Sequence, residues 1–162
     1  TPADIVLYST GAKKMVELGG GAIGYIADQW EYDEVEVEPN DYLNNDTWLL
    51  DTKQLYIKMD AMISHKEKLN AIYREMLPVS IQLPEEYQHW RFNILTDKKY
   101  EILKALFAEG LFASNHYQSH SLDCPIANNL HNYVVNLFND QYYTKEQAIR
   151  TCEIINNLLN ND

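Results

Sequence analysis

The sequence predicts an α/β chain in three pieces: a strand-rich start, one long helix, and a compact lobe of alternating strands and helices. Three observations carry this. Two short apolar runs, residues 5–8 and 22–26, are bounded by polar and glycine-rich stretches, as strands are. Between residues 55 and 76 apolar residues recur at helical spacing. After Pro84, strand-like and helix-like segments alternate to the end.

Taken in order, residues 5–8 begin with β-branched Ile5 and Val6, the pattern of a buried strand. Residues 9–14 are a polar loop. Gly19-Gly20-Gly21 is a flexible break before a second buried strand over 22–26. Across 31–38 acids alternate with Val35 and Val37, which suits an exposed edge strand, and 39–46 is acidic, Asn-rich and turn-like. In the long helix Leu55, Met59, Met62/Ile63, Leu69, Ile72/Tyr73 and Met76 share one stripe, and Pro78 stops it. About 22 residues give a length of roughly 33 Å, enough for a helix linking two lobes. Residues 89–95 read as a strand containing Arg91, with Asp97 set to cap the helix that follows. That helix carries Tyr100, Leu103, Leu106 and Phe107 on one face and ends near Gly110. A strand over 111–113 leads to the polar loop 114–121, and a helix over 126–135 follows Pro125. The last helix opens at Thr144, with Gln147 completing a capping box, and its core stripe is Ala148, Cys152, Ile155 and Leu158/Leu159. The expected divisions are 1–53, an incomplete strand-rich piece; 54–78, the linking helix; and 79–162, a small α+β domain.

Composition narrows the function classes. The chain has 162 residues, 46% hydrophobic and 12% aromatic, which is enough to fill a core and excludes wholesale disorder. With 13 Lys+Arg against 24 Asp+Glu, the formal net charge is -11. Such a chain lacks the basic face that phosphate backbones require, so nucleic acid is not its expected partner. No apolar run reaches the ~18 residues of a membrane helix, and no basic-then-apolar leader opens the sequence. Cys124 and Cys152 make no CxxC pair and read as thiols in a reducing, cytoplasmic compartment. The first residue is Thr1 rather than Met, and apolar residues follow almost at once, so a longer or processed parent is expected.

Four constellations bear on chemistry. Lys13 and Lys14 sit on a loop between the two apolar runs, each raising the other's cost of charging, and a lysine so disfavoured as an ammonium becomes a nucleophile. Two solvated lysines are the plain alternative. Gly19, Gly21 and Gly24 match the dinucleotide fingerprint, which must follow a strand and open a helix, whereas 22–26 reads as a strand. His116, Tyr117 and His120 crowd a hydroxyl-rich loop suited to hydrogen-bonding a polar substrate or simply to facing water. The two histidines sit on a loop with no further clustered ligand set, so no metal is expected there. Arg91, between Trp90 and Phe92, is either an edge charge or a buried carboxylate or phosphate clamp, with an exposed arginine packed on aromatics as the plain alternative.

Three groups of residues, in one order, carry a resemblance. The first is Asp4-Ile5-Val6-Leu7-Tyr8-Ser9-Thr10-Gly11, then Lys14, then Gly19-Gly20-Gly21. The second is Trp90-Arg91-Phe92-Asn93, then Gly110 and Ala113-Ser114-Asn115-His116-Tyr117. The third is Cys124-Pro125 with Ala127, then Val135-Asn136-Leu137-Phe138-Asn139 and Thr144-Lys145-Glu146-Gln147. Together they resemble the C-terminal half of the DegT/DnrJ/StrS family of pyridoxal-phosphate aminotransferases, over nearly all of the sequence. The resemblance implies the C-terminal part of a PLP-dependent transferase fold: the end of the large-domain sheet, a long linking helix and an α+β small domain. It implies pyridoxal 5'-phosphate as cofactor, Lys14 as the Schiff-base residue with Lys13 as the alternative, Ser9 beside the cofactor, and Arg91, His116 and Tyr117 as substrate contacts. It further implies a small-molecule amino donor, a keto-sugar or other carbonyl acceptor, and a homodimer. The family's phosphate-binding loop, ring-stacking aromatic and ring-pairing acid precede the lysine, so the rest of a longer protein, or an upstream polypeptide half, is expected to supply them. Two other functions stay open: a non-catalytic or split partner module of such an enzyme, and a dinucleotide-binding protein.

Overall fold

The computed structural model describes residues 3–11, 14, 16–17, 22–28, 52–115 and 123–160. Its elements fall into two units, Thr1–Met62 and Ile63–Asp162. The expectations for 31–38, for 39–46, for Gly19-Gly20-Gly21 and for residues 116–121 of the polar loop lie outside the described residues.

In the first unit, β1 (Ile5–Ser9) and β2 (Ala22–Ile26) pair antiparallel, with Ile5 opposite Ile26 and Ser9 opposite Ala22. The ladder extends by one bond, from the Ala27 N–H to the Asp4 carbonyl at 2.9 Å. Gly24 stands opposite Leu7, and a Cβ there would lie 3.3 Å from the end of the exposed Leu7 side chain. On the other face Tyr8 and Tyr25 meet edge to face at 5.9 Å. The Tyr25 hydroxyl is 3.4 Å from that of Tyr56, on α1 (Thr52–Met76).

Two buried strands were the expectation, and that is corrected: Ile5, Leu7, Tyr8, Tyr25 and Ile26 are exposed, Leu7 at 72%. The reason is the strand count. Among the described residues these strands pair only with each other, and a two-stranded ribbon alone leaves its apolar side chains uncovered. The same strands weaken the dinucleotide motif. Gly24 lies inside β2, where the fingerprint would have to open a helix.

The second unit holds the core. β3 (Phe92–Leu95), β4 (Ala113–Ser114) and β5 (Val134–Leu137) form an antiparallel sheet in the order β3–β5–β4. Phe92, Ile94, Ala113, Val135 and Leu137 join one buried cluster. Helix α1 adds Leu69 and Tyr73 to it, α2 (Lys99–Ala108) adds Ile102 and Leu106, and α4 (Lys145–Leu159) adds Ala148, Cys152 and Ile155. Of the residues that alternate with these along the strands, Asn93, Ser114 and Asn136 are polar, while Leu95 and Val134 are apolar. Asn136 Nδ2 donates to Asn93 Oδ1 at 2.6 Å, and Ser114 Oγ lies 3.5 Å from Asn136 Oδ1. The capping box forms at Thr144 and Gln147.

Several boundaries differ from expectation for identifiable reasons. β3 starts at Phe92 and Arg91 precedes it, because the buried Gln88 side chain takes over backbone pairing: its Nε2 donates to the Leu83 and Asn93 carbonyls. Asp97 does not cap α2; the cap position is Lys98, whose N–H donates to Thr96 Oγ1 at 3.1 Å. On α2 the buried face is Lys99, Ile102, Leu103 and Leu106, while Tyr100 and Phe107 are exposed. α3 (Pro125–Tyr133) stops earlier than expected, because Val134 and Val135 turn extended and pair with Leu95 and Ile94.

Candidate active site

β1 ends at Ser9, directly opposite Ala22, so the excursion between them leaves and returns at one end of the hairpin. Thr10 is buried at its base. The Lys14 N–H donates to the Gly11 carbonyl at 3.2 Å. Lys14 itself is exposed. A short strand thus delivers a hydroxyl and, five residues on, an amine to the solvent-facing end of the ribbon. Lys13, His116 and Tyr117 lie outside the described residues.

Arg91 is buried in the second unit. Its guanidinium lies 3.4 Å from Asp140 Oδ2 and stacks 4.1 Å above the Phe138 ring and 5.2 Å from that of Trp90. Arg91 packs on aromatics as the plain alternative has it, but it is buried rather than exposed, and its guanidinium already has a carboxylate within the protein.

Sequence reasoning missed the neighbours of Arg91. Lys66, on α1, is 6% exposed and donates to the Trp90 carbonyl and to Asn139 Oδ1, both at 3.0 Å. Asn139 Nδ2 donates to Asn70 Oδ1 at 2.9 Å, and Asn70 Nδ2 to the Gln88 carbonyl at 3.1 Å. His65 Nε2 lies 2.9 Å from the Asp140 carbonyl and 3.1 Å from that of Tyr143. Burial, reinforced by the Arg91 charge and opposed by Asp140, lowers the Lys66 pKa to about 8. The signal was legible: Lys66 falls on the apolar stripe of α1, between buried Met62 and buried Leu69. A charge on such a stripe needs partners.

No protein-family model matches the sequence, and no curated protein does. Solved structures do. A DegT DnrJ EryC1 StrS aminotransferase from Brucella abortus superposes with TM-score 0.71 at 15% identity, over 96% of this chain and 51% of that one. DesV of S. venezuelae, solved in complex with a ketimine intermediate, gives 0.70 at 17% identity, over 98% and 52%. The chain has the fold of the C-terminal portion of a DegT/DnrJ/StrS-type aminotransferase. The sugar aminotransferase CalS13 from Micromonospora echinospora agrees, with TM-score 0.66 at 16% identity, over 94% of this chain and 52% of that one. The chain therefore spans about half the length of the aminotransferases whose fold it shares. Its mixed helix-and-sheet architecture is that of a portion of an α/β PLP-transferase fold.

Proposed function

We propose that this chain is the lysine-bearing portion of a pyridoxal-phosphate-dependent aminotransferase that passes an amino group to a keto-sugar or other carbonyl acceptor. The observation that carries this is Lys14: an exposed lysine five residues past the end of a strand, its N–H bonded to the Gly11 carbonyl, in a chain with the fold of sugar aminotransferases. The residues fit part of the cofactor's needs, an amine for its aldehyde and the Ser9 hydroxyl for a polar oxygen. Pyridoxal phosphate, when bound, supplies the electron sink that makes a carbon next to nitrogen acidic.

The chain's own residues have definite tasks in this reading. Lys14 Nζ holds the cofactor between turnovers, then takes the proton from the donor's α-carbon and returns it on the acceptor side. Ser9 Oγ donates a hydrogen bond that steadies the site at the strand end. Arg91, His116 and Tyr117 are the substrate-side candidates, and Arg91 reaches a substrate only by exchanging its contact with Asp140. A second polypeptide segment supplies the remaining site groups, and the working assembly is a dimer in the cytoplasm.

A second reading, a non-catalytic partner module, is favoured by one observation: the bare apolar side chains of the β1–β2 ribbon, which suit a covering partner. One experiment separates the two. The chain, with whatever co-purifies, is mixed with pyridoxal phosphate, reduced with borohydride, digested and weighed. A phosphopyridoxyl mass on the Lys14 peptide, lost in Lys14→Ala, is the expected result. A label on Lys13 corrects the assignment. No selective label, even with an upstream half supplied, leaves the partner module.

A further inference from the structure

We propose that the cavity between the end of α1 and the segment leading to β3 binds a free aliphatic α-amino acid as its zwitterion. Neither Arg91 nor its neighbours Trp90 and Asp140 line this cavity. The site is therefore separate from the one read for aminotransfer, and it holds whether or not that reading does.

The sequence builds the cavity. Pro78 follows α1, and the chain returns through single helical turns at Val79–Ile81 and Glu85–Tyr87, each opened by a proline. Two glutamines fix this return. Gln82 Nε2 donates to the Arg74 and Leu77 carbonyls at 3.1 and 2.8 Å, closing the end of α1. The buried Gln88 side chain holds the Leu83 carbonyl at 2.7 Å and the Asn93 carbonyl at 3.1 Å. The enclosed space is about 340 Å³, at the small end of the roughly 300–1,000 Å³ that ligand sites span. Walls already held by hydrogen bonds need little ordering when a ligand arrives.

Floor and rim differ in chemistry. Gln88 and Phe92, 2% and 0% exposed, form the floor, and Val79, Leu83 and Pro84 add apolar walls. These suit an aliphatic side chain of about the size of leucine's. Arg74 and Glu85 are both exposed and stand at the rim, where their side chains meet at 2.9 Å.

This pair decides the ligand. One guanidinium nitrogen and one carboxylate oxygen make the contact. A guanidinium has five N–H donors and a carboxylate two acceptor oxygens, so each partner keeps capacity for a second group of opposite charge. An α-amino acid carries both such groups on one carbon. Its carboxylate meets Arg74 and its ammonium meets Glu85, so the two dipoles lie antiparallel. Gln82 Oε1, which has no partner among the described residues, is a further acceptor for the ammonium. The Arg74–Glu85 pair is neutral as a whole, so a ligand with a single charge is repelled by one member, whereas a zwitterion satisfies both. An exposed ion pair contributes little by itself, so lengthening it to admit the ligand costs little.

The test titrates the whole ¹⁵N-labelled chain with L-leucine at neutral pH by NMR. Saturable shifts are expected at the backbone amides of Leu83, Gln88 and Phe92. Isoamylamine, which keeps the side chain and the ammonium, should bind about fivefold or more weakly, and so should isocaproate, which keeps the side chain and the carboxylate. Arg74→Gln and Glu85→Gln are each expected to weaken leucine binding by a similar factor. The proposal is overturned by the absence of a saturable shift, or by shifts centred on Arg91 or on the end of the β1–β2 hairpin. Equal affinity for either single-charge analogue also overturns it, as does unchanged affinity in a folded Arg74→Gln. If a variant fails to fold, the comparison of leucine with its two analogues on the unaltered chain decides.

Discussion

The Lys99 ammonium, 1% exposed, donates to the His131 carbonyl at 2.6 Å. His131 lies in the last turn of α3, whose final carbonyls have no partner within the helix. A cation at that end also complements the helix dipole. Its neighbour Lys98 does the same for another helix, donating to the Leu158 carbonyl near the end of α4 at 2.7 Å.

Replacing Lys99 should therefore loosen α3 before anything else. That helix buries no residue of its own, and Lys99 shares the closing of its end with the Val134 and Thr96 N–H groups, which donate to the Leu130 and Tyr133 carbonyls. Lys99→Met keeps an apolar stem but leaves the carbonyl without its partner, at a cost of about 1–3 kcal/mol. The expected result is a lower urea midpoint and faster hydrogen exchange in α3 than in α4. Equal protection of both helices in the variant would sink the idea.

Gly110 carries a second prediction. Its φ is +70°, and it closes α2 as the Gly110 N–H reaches the Phe107 carbonyl and the Leu111 N–H reaches that of Leu106 at 2.9 Å. A Cβ at Gly110 would meet nothing within 4 Å, so the cost of Gly110→Ala is backbone strain alone. It should be about 1 kcal/mol, with Gly110→Asn costing less because asparagine tolerates this conformation. Equal urea midpoints for glycine and alanine would show that the turn relaxes instead.

Much of this was legible in the sequence where a residue has a local job. Gly110, the Thr144–Gln147 capping box and the α4 stripe depend on neighbours a few residues away. What was not legible depends on distant chain. Nothing local tells that the 5–8 and 22–26 runs are exposed among the described residues, because burial of a strand is decided by what stacks on it. Val134 and Val135 read as helix until Ile94 and Leu95 are there to pair with them. The Lys66 cluster shows the same limit: its position on the stripe was visible, but Asn139 is 73 residues away.

Lys66 also gives a stability profile whose sign can be worked out. Its pKa in the folded chain, about 8, lies below its ordinary value of 10.5. Between the two values the unfolded chain holds more protons, so stability rises with pH over that interval. Cys152 acts in the opposite sense. Burial pushes its thiol from 9.0 to about 12, so its contribution is complete below 9 and fades as pH climbs toward 12. Tyr73 and Tyr143, raised above 10 mainly by burial, add to that later loss. The urea midpoint should thus increase from about pH 7.5 to about pH 9, level off while the Lys66 gain and the Cys152 loss offset each other, and decline above about pH 10. The rise should be on the order of 1 kcal/mol, because only about one pH unit separates the Lys66 midpoint from the onset of the Cys152 loss. Lys66→Met should flatten the rise and leave the decline. A rise that persists in Lys66→Met would assign it to another group, and its absence in both proteins would mean that Lys66 keeps its proton throughout.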